Sequence, residues 1–148
     1  MNGLHIPRRT LLSFALAACV AAGTFVIVAR AYGQAGSVSL SGNEEVPRVS
    51  TAAAGTAKIT IRADKSVSGT VTTTGISGTM AHIHEAAIGK NGPVIVPLVK
   101  SGEGGWAVAP GVKLSDAQYA SYMAGNLYVN VHSATHPDGE IRAQLKPN

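Results

Sequence analysis

Two segments near the C-terminus alternate strictly between apolar and polar residues, and together they limit the fold more than any other feature. In Leu127-Tyr128-Val129-Asn130-Val131-His132, Leu127, Val129 and Val131 fall on one side and Tyr128, Asn130 and His132 on the other. In Gly139-Glu140-Ile141-Arg142-Ala143-Gln144-Leu145, Ile141, Ala143 and Leu145 share a side, and Glu140, Arg142 and Gln144 take the opposite one. Successive side chains of a strand point to opposite faces, so each segment reads as a strand with one apolar face. Pro137-Asp138-Gly139 lies between them and is a turn signal. The pair predicts an antiparallel hairpin whose apolar face must be buried against another layer.

The same period recurs upstream. Val38-Ser39-Leu40-Ser41 alternates and is broken by Gly42-Asn43-Glu44-Glu45-Val46-Pro47. Ala57, Ile59 and Ile61 oppose Lys58, Thr60 and Arg62, and Val67 to Thr73 is rich in β-branched residues, so the two segments form a hairpin around Ala63-Asp64-Lys65-Ser66. Val94-Ile95-Val96-Pro97-Leu98-Val99 suits a strand, with Pro97 pushing it to an edge or a bulge. Gly105 to Val108 is a short strand at best. One helix is specified by Ser115 with Gln118 three residues on, a reciprocal capping box. Leu114 and Tyr119 make the hydrophobic staple, Tyr119, Tyr122 and Met123 share a packing side, and Gly125 stops the helix. It reads as a crossover lid between strands. Seven or eight short strands with regular turns and one short helix predict an all-β, immunoglobulin-like Greek-key β-sandwich.

Ala81-His82-Ile83-His84-Glu85 carries the chemistry. In a strand, His82 and His84 project together with Met80 and Ala86, about 6.5–7 Å apart along the chain, while Ala81, Ile83 and Glu85 point the other way. Two neutral imidazoles on one face either close on one metal ion or form a buried polar network that fixes the packing. His132 adds a third strand histidine. Three imidazoles with an open fourth position suit copper or zinc, copper prevailing where both are free. His136 either completes this set or only belongs to the turn before Pro137, the second being the stronger reading. Glu85, Asn130, Glu140 and Arg142 are strand-borne polar residues able to orient the imidazoles, or to form ordinary cross-strand pairs. Tyr128 shares the face of His132, and Glu44 and Glu45 read as shaping their loop.

The first 35 residues differ from the rest. Arg8-Arg9 precedes an almost unbroken apolar run from Thr10 to Ala29, followed by Ala29-Arg30-Ala31 and Gly33-Gln34-Ala35. This is the pattern of an export signal, with cleavage near Ala31 or Ala35; the run is also long enough for an N-terminal anchor. The paired arginines loosely fit a twin-arginine signal, and Leu16-Ala17-Ala18-Cys19 a lipobox. The expected division is therefore a signal peptide or anchor over residues 1–35 and one domain over 36–148. Cys19 is the only cysteine, so that domain folds without disulfides. Arg8, Arg9 and Arg30 are three of the twelve basic residues, which leaves nine basic against eight acidic in the domain. No basic cluster argues for nucleic acid. There is no G-x-S-x-G and no phosphate loop.

Leu40 to Pro47, Ala81-His82-Ile83-His84, Gly92-Pro93-Val94, Leu127 to Ser133 and Gly139-Glu140-Ile141-Arg142, taken together, resemble the CHRD domain. That family is named for chordin and is common in exported bacterial proteins. The resemblance runs from about Val38 to Leu145 and implies a β-sandwich and an extracytoplasmic location, with no settled reaction. Ala81-His82-Ile83-His84-Glu85 is also similar to the H-V-H-E strand of copper–zinc superoxide dismutases. The domain's four histidines, His82, His84, His132 and His136, do not make up those enzymes' two-metal set. Three functions stand open on these residues. The domain is a binding module, holding a metal through its strand histidines; or a copper-dependent, superoxide dismutase-like redox enzyme; or a structural or adhesive envelope module with an envelope or extracellular protein partner.

Overall fold

A computed structural model describes residues 36–147. The expected signal peptide or anchor, with its cleavage site, lipobox and arginine pair, lies outside the described residues. Eight antiparallel strands follow in chain order: β1 (Ser37–Ser41), β2 (Ala54–Ile61), β3 (Val67–Thr74), β4 (Gly78–Glu85), β5 (Val94–Lys100), β6 (Gly105–Val108), β7 (Leu127–Ser133) and β8 (Ile141–Gln144). Among the described residues one α-helix, α1 (Asp116–Met123), separates β6 from β7, and a single 3-10 turn (Gly42–Glu44) follows β1. No helix among the described residues is long and apolar enough to cross a membrane.

The strands close into one barrel in the order β1-β2-β3-β6-β5-β4-β7-β8. An all-β fold with one helix is what the alternation requires; the expectation of a two-sheet immunoglobulin-like sandwich is replaced by this single closed sheet. Period-two patterning is the same in both architectures, since each buries one face of every strand. The difference lies in two contacts that patterning does not encode. Ser41 of β1 pairs with Arg142 of β8 and closes the ring, and β3 pairs with β6 through Val71 and Trp106.

Inward residues follow the alternation. Ala57, Val71, Ala81, Ile83, Leu127, Val129, Val131 and Ile141 are all 0–1 % exposed and pack as one core. β5 is not an edge, because it pairs with β4 on one side and β6 on the other. Pro97 itself pairs in register with His82; the ladder with β4 shifts two residues before it, at Ile95, where Ile83 opposes Val96 and His84 opposes Val94.

The helix forms as its sequence requires. Gln118 N–H donates to Ser115 Oγ, and Ser115 N–H donates to Gln118 Oε1 at 2.8 Å. Leu114 and Tyr122 join the core and Tyr119 packs against it. Met123 does not share that side and is half exposed. α1 joins β6 to β7 across two intervening strands. Lys65 of the β2–β3 turn pairs with Asp116 at its start, and Ser121 donates to Glu85 at the end of β4.

Candidate metal centre

Every residue of β7 is buried, on both faces of the strand. The outer face, carrying Tyr128, Asn130 and His132, is therefore covered from outside the barrel. The β7–β8 turn covers His132 through its Pro137 carbonyl, and two further segments cover the rest: the stretch from Gly42 to Ala53 after β1, and the β4–β5 loop. Asn91 Nδ2 donates to the Val46 carbonyl at 2.7 Å and ties the two together. Arg142 donates to Asn91 Oδ1 at 3.1 Å and to the Lys90 carbonyl at 2.9 Å. Gln144 Nε2 donates to the Ala86 carbonyl at 2.9 Å. A polar layer is thus sealed between the barrel wall and its covering loops.

His82, His84 and His132 meet in this layer. One ring nitrogen from each lies within 4.8 Å of the others. The strand ladder brings them together: His82 opposes Asn130, His84 opposes Tyr128, and His132 sits one pair further along β7. His84 and His132 are buried and His82 is partly buried.

The hydrogen bonds fix the tautomers. A carbonyl oxygen only accepts, so His84 Nδ1–H donates to the Gly92 carbonyl at 3.0 Å, and His132 Nδ1–H donates to the Pro137 carbonyl at 2.9 Å. In the neutral rings the Nε2 atoms of both histidines are then bare lone pairs. His82 Nδ1 lies 3.0 Å from His132 Nε2 and donates to it. His84 Nε2 is buried and has no hydrogen-bond partner. Burial lowers the pKa of His82, helped by His132 and His84. Burial likewise lowers that of His84, aided by the charges of His132 and Arg142 and opposed by the Gly92 hydrogen bond. The result is two imidazoles held in the neutral form that coordinates metals.

The ring of His84 stacks on Tyr128, with centroids 4.8 Å apart and planes 10° from parallel. The Arg142 guanidinium sits 3.4 Å over the Tyr128 ring. The stack crosses β4, β7 and β8 and locks His84 in place. Asn130 Nδ2 donates to Glu45 Oε2 at 3.2 Å, also within the layer. Glu45 is 5 % exposed. Burial pushes its carboxyl up to about 7, against the lowering effects of Arg142 and Asn130.

The other polar residues singled out from the sequence lie elsewhere. Glu85 points to the opposite face of β4 and accepts from Ser121 of α1, so it does not support the histidines; strand alternation places it there. Glu140 accepts from Thr51 Oγ1 at 2.7 Å and from Ser133 Oγ. His136 Nδ1 lies 3.6 Å from Glu140 Oε2, in the β7–β8 turn and outside the three-histidine group. Sequence reasoning missed the Gly92 and Pro137 carbonyls and the burial of Glu45. Main-chain acceptors carry no sequence signal, and Glu45 stands in a segment without periodicity.

A small antiparallel barrel with a buried histidine cluster on the outside of its wall is the class of domain these observations define. A family model of the CHRD domain matches residues 36–145. The chain belongs to the CHRD domain family. Comparison with curated proteins and with solved structures gives no match.

Proposed function

We propose that this CHRD domain is an exported binding module that holds one metal ion, copper or zinc, on His82, His84 and His132. The observation that carries the reading is the unpartnered, buried Nε2 of His84, grouped with ring nitrogens of the two other histidines. A buried acceptor without a partner costs about 1–3 kcal/mol, and an ion removes that cost. The carbonyls of Gly92 and Pro137 act as outer partners, orienting His84 and His132 so that each offers Nε2. His82 joins by taking the other neutral tautomer, its proton moved from Nδ1 to Nε2 so that Nδ1 coordinates, or by presenting Nε2 as it stands. Asn130 and Arg142 support the layer through Glu45 and Tyr128.

The test is total-metal analysis of protein prepared from the cell envelope. A copper or zinc content close to one per chain is expected, and a content near zero from copper- and zinc-replete cells overturns the reading. Export rests on the N-terminal apolar run, so residues 1–36 fused to a reporter carry it out of the cytoplasm; a reporter retained inside removes that part. The His82–His132 hydrogen bond favours a second reading, a structural or adhesive envelope module in which the histidines only fix packing. A copper-dependent redox activity is the enzymatic form of the first reading and requires the same ion.

A further inference from the structure

We propose that Met80 supplies a thioether ligand to the same centre, so that the site selects copper and holds it as Cu(I). This inference rests on the metal reading of the three histidines. Met80 stands two residues before His82 on the same face of β4, and its partner across the ladder is His132. Side chains directly opposite in an antiparallel pair have Cβ atoms about 4.5–5.5 Å apart. The unbranched side chain of methionine, with three rotatable bonds, spans such a gap and adapts to what it meets.

The register keeps the two residues together. The β4–β7 pairing runs unbroken from Met80 to Glu85 and shifts only between Gly78 and Met80. At the shift, Thr79 Oγ1 donates to the His132 carbonyl at 3.3 Å, which ties that end of β4 to the His132 backbone. Irregularities of this kind often re-aim a side chain beside a functional site.

Packing gives no competing reason for methionine at this position. Met80 is 47 % exposed and contributes nothing to the core. The exposed Val94 and Val99 of β5 are β-branched strand formers, a role that unbranched methionine lacks. Outward positions on β2 and β3 are Lys58, Thr60, Thr70 and Thr72, the polar choice for a wetted face. What Met80 offers is a soft sulfur next to three nitrogens. Imidazoles alone take zinc as well as copper, whereas a thioether favours Cu(I).

The test compares the full chain with its Met80→Leu variant, both carrying Cys19→Ser so that the one thiol does not compete. Leucine keeps the volume and apolarity and removes only the sulfur. Cu(I) under anaerobic conditions and Zn(II) serve as separate probes. Cu(I) affinity is expected to fall by about tenfold or more, the scale on which even a supporting partner changes a metal site, with Zn(II) affinity unchanged. X-ray absorption at the copper edge is expected to find a sulfur neighbour in the parent that is lost in the variant. Copper bound through nitrogen alone, or equal Cu(I) affinity in the two proteins, overturns the role of Met80 and leaves the three-histidine centre standing. A parent protein that binds neither ion overturns both.

Discussion

His82 Nδ1 lies 3.0 Å from His132 Nε2, a separation that serves both a hydrogen bond and two corners of a coordination sphere. Two nitrogens on a tetrahedral ion with bonds of about 2.0–2.1 Å sit about 3.3 Å apart, so the change between the two states is a few tenths of an ångström. In the proposed metal-bound state the bare Nε2 of His84 would gain the partner that the hydrogen bonds of the layer do not give it.

Added Cu(II) or Zn(II) should stabilise the wild-type domain and leave variants of the centre unmoved. At an ion concentration about one hundred times the dissociation constant, mass action gives about 2.7 kcal/mol. His84→Gln should abolish this shift and keep the fold, since glutamine preserves polarity but coordinates poorly. His132→Gln should abolish it too, and in metal-free protein should cost about 1–3 kcal/mol, because the Pro137 carbonyl and His82 Nδ1–H lose their partner. Thermal melts with and without metal check both. A wild type whose melting temperature ignores both ions would leave the packing network as the role of these histidines.

Gly92→Ala should damage the centre from a distance. A Cβ at Gly92 would lie 1.9 Å from the Glu85 carbonyl oxygen, a backbone atom that cannot turn away. The loop must shift, and with it the Gly92 carbonyl that fixes the His84 tautomer and the Gly92 N–H that donates to Tyr128 Oη at 3.2 Å. The expected result is a loss of about 1–3 kcal/mol from overpacking, together with weaker metal binding. Urea melts and metal titration of the same preparation check it; unchanged affinity would mean that the carbonyl does not position the ring.

Much of this arrangement was legible because alternation is a local property. It separated Ala81 and Ile83 from His82 and His84, placed His132 opposite Val131, and marked Ser115 and Gln118 as a helix start. Closure of the barrel was not legible, since it depends on pairings such as Ser41 with Arg142 that join opposite ends of the domain. Alternation also misjudges β7. A polar face reads as solvated, yet Tyr128, Asn130 and His132 are 2–6 % exposed. The cover comes from aperiodic segments far away in sequence, through contacts such as Thr51 with Glu140 and Asn91 with Arg142. Met123 failed for a related reason: α1 is so short that one residue near its end is free to face solvent.

Arg142→Met should be among the most damaging single changes in the domain. Arg142 is 2 % exposed, yet it donates to Asn91 and to the Lys90 carbonyl and lies over Tyr128. Its loss leaves the Asn91 amide oxygen and the Lys90 carbonyl without their donor inside the layer, at about 1–3 kcal/mol for each buried acceptor left unpaired. Arg142→Lys should not rescue it, because an ammonium cannot reproduce the planar fork or the stack on Tyr128. Chemical denaturation gives the values, and a cost below about 1 kcal/mol would show that the covering loops hold without it.

The pH dependence of stability in metal-free protein should reverse in part when Glu45 is replaced by Gln. The Glu45 carboxyl has a folded-state pKa of about 7 against 4.5 for the ordinary side chain, because burial disfavours its charge. Between those values the folded chain holds a proton that the unfolded chain has released, so the slope of stability against pH is negative. The Glu45 contribution is complete below about 4.5 and is lost as pH rises through about 7, in total on the order of 3 kcal/mol. His82 and His84 act in the opposite sense. Their folded-state values are lowered from 6.5, so below 6.5 the unfolded chain takes up protons that the folded chain refuses. Their contribution is present above 6.5 and is lost as pH falls towards their lowered values. In wild type the two effects oppose each other between about 4.5 and 6.5, giving a shallow profile. Glu45→Gln removes one of them, and its stability should then fall visibly on acidification from pH 7 to pH 5. Urea midpoints measured with chelator across that range test the sign directly. Parallel profiles for the two proteins would show that Glu45 keeps its charge inside the layer, neutralised by Arg142.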